Sequence, residues 1–459
     1  MGHLRKPKSN SLLCDTKRVL LAHIKPDSHI VIALSGGIDS VVLFHLLVTL
    51  SKQMGFSLSA VHVNHGISRN AELWSQFCRD LCCTSDIPIT VEQLNLKKET
   101  GISLEALARD ERYQIFSRLQ ADYVVLAQHM NDQAETLLLQ LFRGAGIKGL
   151  SAMPVIRKQY TNMAPQILRP LLDAPRSQIE AYAKQNRLNW IDDESNDSTA
   201  FNRNFLRHSV LPLLKEKYPN YPKTLLRTSR NLSEASLLLD ELAAMDSQHC
   251  LLSGKLQIAA IRELSLPRAR NLLRFTLSQQ GVKFPSAAKL EDILRQLLSP
   301  RTDTQRQITV GQMVIRCYKG LMYLLPESTS TTSSTSPTSP ASNWQQAWQG
   351  ERPLHLKNLN GIINFSYAEN QGIDEKKLLQ EPVTFRLRQG GERFSPHCNR
   401  PRRSLKNLLQ EASIPPWERN TLPLLFSGEK LVWVPRIGID CEYQVKSDEP
   451  GLVPTWQAI

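Results

Sequence analysis

The sequence predicts an α/β fold, a doubly wound parallel sheet, followed by a mainly helical domain and a small α+β C-terminal domain. Three observations predict it. Strand-like and helix-like stretches alternate over the first 215 residues; Leu-rich helical spacing replaces that alternation up to residue 326; and a Ser/Thr tract separates both from a third module. The strand-like runs are His29–Leu34, Leu58–Asn64, Ile87–Leu94, Tyr123–Ala127 and Gln166–Arg169. They are largely apolar, as strands covered on both faces must be. Helical patterns fill the gaps at Ala71–Thr84, Ser103–Leu119, Asn131–Phe142 and Arg176–Gln185. Ligands of such sheets bind beyond the carboxyl ends of the strands, and Ser35, Asn64 and His129 all fall there.

Residues 216–326 read as the helical domain, with helices at Leu225–Met245, Arg268–Gln279 and Ala287–Leu298. Short β-like runs at Gln307–Val310 and Met313–Leu325 close it as a terminal hairpin. Twelve of the sixteen residues from Glu327 to Ser342 are Ser or Thr, so 327–343 cannot bury a core and reads as a linker. Residues 344–459 form the last module, with strand-like runs at Val383–Arg388, Leu422–Phe426, Lys430–Pro435 and Cys441–Lys446 around a helix at Ser404–Glu411.

A net charge of +13 and a pI near 9.4 point to a polyanionic partner, most simply nucleic acid, or to a merely basic soluble protein. The eight cysteines include no Cys-x-x-Cys pair. Neither a zinc knuckle nor a disulfide framework is therefore expected, and reduced thiols in a cytoplasmic protein fit best. Residues 1–28 lack a signal-peptide apolar core, and Lys6 breaks the myristoylation pattern. No apolar run reaches the ~18 residues of a membrane span, so no membrane partner is expected.

The chemistry concentrates at Ser35-Gly36-Gly37-Ile38-Asp39-Ser40, between the first strand and the apolar run Val41–Leu50. Two glycines let the backbone curl close to a ligand, and the unpaired N–H groups of a helix N-terminus attract phosphate. Ser35 and Ser40 add hydroxyl donors, and Asp39 adds a carboxylate suited to Mg²⁺ against phosphate oxygens. No Gly-Lys-Ser/Thr follows, so this is not a Walker A loop.

A second motif, Ala127 to Thr136, joins the fourth strand to a helix. Asp132 and Glu135 share one face of its first turn, where carboxylates hold a metal, orient an amine, act as a base, or simply complement the helix dipole. Arg109 and Arg112 share a face of the 103–119 helix, suited to phosphate charge or to plain solvation. His62 and His65 lack the further ligands a zinc site needs. An Asp/Asn-rich loop, 192–197, precedes Arg203 and Arg207, one helical turn apart. Finally, Arg386, Arg388, Arg393, Arg400, Arg402, Arg403 and Lys406 face the single acid Glu392 within 386–406. Phe394, His397 and Trp417 interleave with them, a pattern suited to RNA backbone and unstacked bases or to a solvated basic face.

The Ser35–Ser40 turn resembles the pyrophosphate (PP) loop of the N-type ATP pyrophosphatases. Together with Val61–Gly66, the 127–136 element, Arg169-Pro170-Leu171-Leu172, the Asp192–Arg207 stretch, Gly391-Glu392-Arg393, Leu405-Lys406 and Ile414–Arg419, it is similar in order and spacing to the tRNA(Ile)-lysidine synthetase family. The chain departs from that family at Gln128 and Asn131, where a histidine and an acid are often found. The resemblance implies a PP-loop catalytic domain and two tRNA-binding domains. The implied ligase uses ATP to join L-lysine to C2 of the cytidine at the first anticodon position of a CAU-bearing tRNA(Ile). The implied site is Ser35–Ser40 on pyrophosphate, Asp39 on Mg²⁺, Asp132 and Glu135 on metal or the lysine ammonium, and Arg112 and His129 on the adenylate. Arg203, Arg207, Arg386, Arg388, Arg393, Arg402, Arg403, Lys406, Trp417 and Arg419 are then expected on RNA, and a homodimer is left open. A PP-loop tRNA thiolase, or a non-catalytic RNA-binding protein with a relic ATP site, are the alternatives.

Overall fold

The computed structural model describes residues 11–66, 68, 70–94, 104–157, 164–192, 202–282, 286–299, 307–327, 344–446 and 449–458. Most of the Asp/Asn-rich loop and of the Ser/Thr tract lies outside the described residues. The chain forms two compact units, Met1–Leu242 and Ala243–Ile459.

In the first unit, α1 (Ser11–His23) precedes β1 (His29–Ala33), α2 (Ile38–Met54), β2 (Ser57–Asn64), α3 (Ala71–Thr84), β3 (Ile89–Gln93), α4 (Leu104–Arg118) and β4 (Tyr123–Val125). There follow α5 (Met130–Phe142), α6 (Ile147–Leu150), β5 (Ile156–Arg157), β6 (Gln166–Leu168), α7 (Arg176–Gln185), α8 (Asn202–Phe205), a π-helical turn (Leu206–Val210), α9 (Leu211–Lys217) and α10 (Tyr221–Cys250). The strands lie in the order β3-β2-β1-β4-β6-β5. All pair in parallel except β5, which runs antiparallel to β6.

β1 is apolar on both sides because both are covered. Ile30 and Ile32 pack with Leu43, Leu46 and Leu47 of α2, while Val31 packs with Phe116 of α4, Val124 and Ile167. The chain leaves β1 toward β2 and later returns to β4 on its other side, so the carboxyl ends of β1 and β4 border a crevice. The loop after β1 and the start of α5 after β4 both open into it. α1 was not expected; Leu12 and Leu20 are buried in the same core as α2.

In the second unit, β7 (Leu251–Leu252) and β8 (Lys255–Gln257) lead into α11 (Ile258–Glu263), α12 (Leu266–Gln279) and α13 (Ala287–Leu298), then β9 (Gln307–Val310), β10 (Met313–Tyr318) and β11 (Leu321–Pro326). α12 and α13 are as expected and the short α11 was not, and the hairpin β10–β11 is the middle of a five-stranded sheet, β7-β8-β11-β10-β9. β7 and β8 are too short to leave a two-residue periodicity.

The last module holds β12 (Gln345–Ala347), β13 (Leu354–Leu356), β14 (Gly361–Glu369), α14 (Glu375–Leu378), β15 (Val383–Arg386), β16 (Arg393–Phe394), β17 (Arg403–Ser404), α15 (Leu405–Glu411), α16 (Pro416–Arg419), β18 (Leu424–Ser427), β19 (Lys430–Val434), β20 (Gly438–Ile439) and β21 (Pro450–Ala458). Three expected strands are present. The fourth is corrected: Cys441–Tyr443 is a 3-10 turn, capped by the Asp440 carboxylate, which accepts from the Glu442 N–H at 3.1 Å.

A second correction concerns sulfur. Cys398 and Cys441 are joined by a disulfide, Cα–Cα 5.1 Å, inside the range such bonds require. Nothing in the cysteine spacing shows this, because the two residues are 43 positions apart and meet only through the fold. Iodoacetamide is expected to label Cys14 and Cys83, both exposed, without reductant, and Cys398 only after it. Peptide mass spectrometry reads the order, and labelling of Cys398 without reductant would remove the bond.

Candidate active site

The turn at Ser35 has the shape its glycines require. Gly36 sits at φ +86°, where side chains are strained, and a Cβ there would lie 2.9 Å from Ile191 Cδ1. The Gly36 carbonyl accepts from the Ile191 N–H at 3.0 Å, which pins the turn from outside. Ser40 Oγ donates to the Gly37 carbonyl (2.9 Å) and accepts from the Ser35 N–H (3.2 Å). Gly37 caps α2 without any side-chain bond, so the first-turn N–H groups stay open to an anion. Gly36→Ala is expected to raise the KM for ATP at least tenfold, since strain and steric overlap together exceed about 1.4 kcal/mol. An unchanged KM in a pyrophosphate-release assay would count against a phosphate-cradling turn.

Opposite this turn, His129 caps α5. Its Nδ1 accepts from the Asn131 N–H (3.2 Å), and Asp132 Oδ2 accepts from the His129 N–H (2.9 Å). The cap fixes the ring, and its Nε2 lies 3.6 Å from both Asp39 Oδ1 and Asp132 Oδ2. Two carboxylates from the first turns of different helices, α2 and α5, thus converge on one imidazole. Their environments differ. Burial pushes the Asp39 carboxyl above its ordinary value, only partly offset by His129 and Arg176. Burial also acts on Asp132, but His129, Arg203 and the His129 N–H outweigh it and hold that group below the ordinary range. Asp39 Oδ1 is buried with no hydrogen-bond donor, and Oδ2 accepts from Arg176 Nη1 at 2.9 Å.

Glu135, 2% exposed, is saturated. Arg203 Nε donates to one oxygen at 2.7 Å, and Arg207 donates to both at 2.9 Å. Arg203 also reaches Asp132 at 3.4 Å. Both arginines, expected on RNA, therefore sit on the site's own carboxylates. Arg176, unexpected from sequence, joins the site because α7 begins beside Asn131, whose Oδ1 accepts the Arg176 N–H at 3.1 Å. A cavity of about 1210 Å³ links these groups, lined by Ser35, Asp39, His129, Glu135, Arg176 and Arg207. It exceeds the roughly 300–1,000 Å³ of a pocket for one small ligand. Arg112 does not line it; that side chain lies beside Tyr113 on α4.

The C-terminal basic run is less bare than its sequence. Arg386 meets Glu429 (3.1 Å), Arg402 meets Glu442 (2.8 Å), Arg403 meets Glu411 (2.8 Å) and Arg388 lies 3.6 Å from Glu392. Arg393 donates to the Arg402 carbonyl and Arg419 to Tyr318 Oη, while Lys406 is exposed. The aromatic expectation is corrected in part. Phe394 is wholly buried in the core, and Trp417 packs edge-on against Tyr318 and Tyr323, with ring centroids 6.2 and 5.2 Å away. Neither is an open stacking platform; His397 is exposed.

A phosphate-cradling turn at the carboxyl edge of a doubly wound sheet, faced by convergent carboxylates, defines a PP-loop ATP-binding domain. Comparison agrees: residues 11–214 match the PP-loop domain family, 256–323 the TilS substrate binding domain and 383–456 the TilS substrate C-terminal domain. The tRNA(Ile)-lysidine synthase of Nitrosomonas europaea is 49% identical over 95% of this chain and 93% of its own length. Those of Azoarcus sp. and Coxiella burnetii are 38% and 36% identical over 95% and 93% of this chain, and 93% and 92% of their own. The chain belongs to the tRNA(Ile)-lysidine synthase family. Against the thiolase alternative, burial pushes the Cys78 and Cys82 thiols up to about 12, which suits core residues rather than sulfur carriers.

Proposed function

We propose that this chain joins L-lysine to C2 of the cytidine at the first anticodon position of a CAU-bearing tRNA(Ile), through an adenylated cytidine, with release of AMP and pyrophosphate. The observation that carries the reading is a PP-loop turn set against Asp39, His129 and Asp132 in a chain 49% identical to a named lysidine synthase. The cytosine C2 oxygen is a poor leaving group, and its adenylation makes AMP the leaving group. The lysine ε-amine, with an ordinary pKa near 10.4, must lose a proton to attack.

The Ser35–Ser40 turn holds the pyrophosphate portion of ATP. Mg²⁺ fits Asp39: its Oδ1 is buried and lacks a hydrogen-bond donor, and Mg²⁺ in nucleotide sites takes one or two carboxylates plus phosphate oxygens. Among the described residues no group of three or more His, Cys, Asp or Glu side chains is arranged to hold a metal by itself, which suits an ion arriving with ATP. Bound there, the ion would neutralise phosphate charge. Asp132, ionised and beside His129, receives the ammonium of lysine. Glu135 anchors Arg203 and Arg207, and Arg207 lines the cavity on the side where an adenylate or an RNA phosphate would bind. We assign ATP binding to 1–215 and tRNA binding to 216–326 and 344–459, joined by 327–343; within the 386–406 run Arg393, Arg400, Arg402 and Lys406 are exposed. No described helix is long and apolar enough to cross a membrane.

The test is incorporation of radiolabelled lysine into a CAU-bearing tRNA(Ile) transcript with ATP. Label in that transcript, and none when its first anticodon base is U, is the expected result. Pyrophosphate release driven by a sulfur donor instead of lysine would overturn the reading.

A further inference from the structure

A second charged cluster lies at the carboxyl edge of the sheet, on the α4 side rather than the α2 side. Arg169, the residue after β6, is 2% exposed. Its Nη1 donates to the Pro154 carbonyl (3.0 Å), its Nη2 to Tyr113 Oη (3.2 Å) and its Nε to Gln128 Oε1. All three acceptors are neutral. Arg109 and Arg157 stand over the Tyr113 ring, with guanidinium carbons 5.4 and 5.5 Å from its centroid. Among the described residues, no carboxylate lies within ion-pair distance of Arg109, Arg157 or Arg169. A buried guanidinium without an anion is expensive, and two further cations raise the cost. The potential is visible on Tyr113: burial would raise its hydroxyl, yet Arg169 and Arg109 hold it below the ordinary value.

The cluster is also tied to the reacting groups. Gln128, held by Arg169, directly precedes His129, whose Nε2 lies 3.6 Å from Asp39 and Asp132. That bond accounts for a neutral amide at position 128. A neighbouring carboxylate would have satisfied the charge, and among the described residues none is within reach. The missing anion then belongs to a substrate.

We propose that Arg169, Arg157, Arg109 and Tyr113 form an oxyanion subsite for an acidic group of the second substrate, a phosphodiester beside the reacting cytidine or the α-carboxylate of lysine. Arg169 is the rigid base of the subsite, and the half-exposed Arg109 and exposed Arg157 are its movable rim. This rests on the lysidine-forming reading of the site.

The experiment uses the full chain with Arg157→Ala, Arg109→Ala and Arg157→Glu, none of which cuts into the core. Wild-type lysine incorporation first tests the reading itself; the variants then test the subsite separately. The KM for ATP is expected to stay within about twofold and the melting temperature to hold. If the anion is a phosphodiester, tRNA affinity in filter binding falls about tenfold, more for Arg157→Glu. The slope of log K against log salt then falls by about 0.7–0.9 for each phosphate no longer neutralised. If it is the carboxylate, the KM for lysine rises about tenfold and tRNA binding holds. Either split supports the subsite and names its ligand. Unchanged tRNA affinity together with unchanged lysine KM overturns it, as does a parallel rise in the ATP KM, which would mark a purely structural cluster.

Discussion

Asp39→Asn is expected to reduce lysine- and tRNA-dependent pyrophosphate release by about 10²–10³-fold, the loss that follows removal of one preorganised charge at a developing phosphate leaving group. The fold should survive it. Burial raises the Asp39 pKa, so the folded state disfavours the ionised form. The stability contribution of that group is therefore present below its ordinary value near 4 and is lost as pH rises through the raised one. Asparagine does not titrate, so the variant's stability relative to wild type should improve over that interval. Asp132 has the opposite sign: its pKa is lowered, and its contribution is lost as pH falls through the folded value. Asp132→Asn should consequently lose stability relative to wild type as pH rises toward and above about 4. Thermal melts of both variants from acid pH to neutrality check the opposed slopes. Full pyrophosphate release by Asp39→Asn would remove the residue from the phosphate site.

Glu135→Gln is expected to have the largest effect on stability. The carboxylate receives three charged donor bonds from Arg203 and Arg207, and the amide removes the negative charge that both guanidiniums share with Asp132. Breaking a buried pair costs about 3–5 kcal/mol. The arginine side chains are a quarter to a third exposed, so water offsets part of this, and about 2–3 kcal/mol is expected. That corresponds to a fall of roughly 4–10 °C in the melting temperature of a unit this size. Activity should fall with it, because Glu135 holds α8 and the following π-helical turn beside the cavity that Arg207 lines. A melting temperature indistinguishable from wild type would show that Glu135 does not hold them.

The repeating elements were legible to within a few residues: α3, α7 and α13 coincide with the stretches read from sequence. Amphipathic spacing over ten or more residues is a local property, so it survives without tertiary information. The two-residue strands β5 and β7 left no period to read, and the nine-residue β14 and β21 were not read from the sequence either. The candidate site divides the same way. Ser35–Ser40, His129, Asp132 and Glu135 were legible because each motif is contiguous and lies at a strand end. Arg176 was not, because it reaches Asp39 across 137 residues. Arg203 and Arg207 were visible as a basic pair but read as RNA-binding groups, since nothing local shows that Glu135 lies opposite. The run at 386–406 looked almost unopposed because Glu411, Glu429 and Glu442 enter from other elements.

By itself the sequence determined the type of chemistry. A strand, two glycines, an aspartate and a helix start make an anion cradle wherever the chain places them, because the donors are the backbone's own N–H groups. Only the tertiary structure decided which charges remain available in that cradle. Pairing takes whichever opposite charge the fold brings within about 3 Å, and it gave Glu135 two arginines and most of the basic run an acidic neighbour. The same pairing left Asp39 Oδ1 without a donor and, among the described residues, Arg169 without an anion.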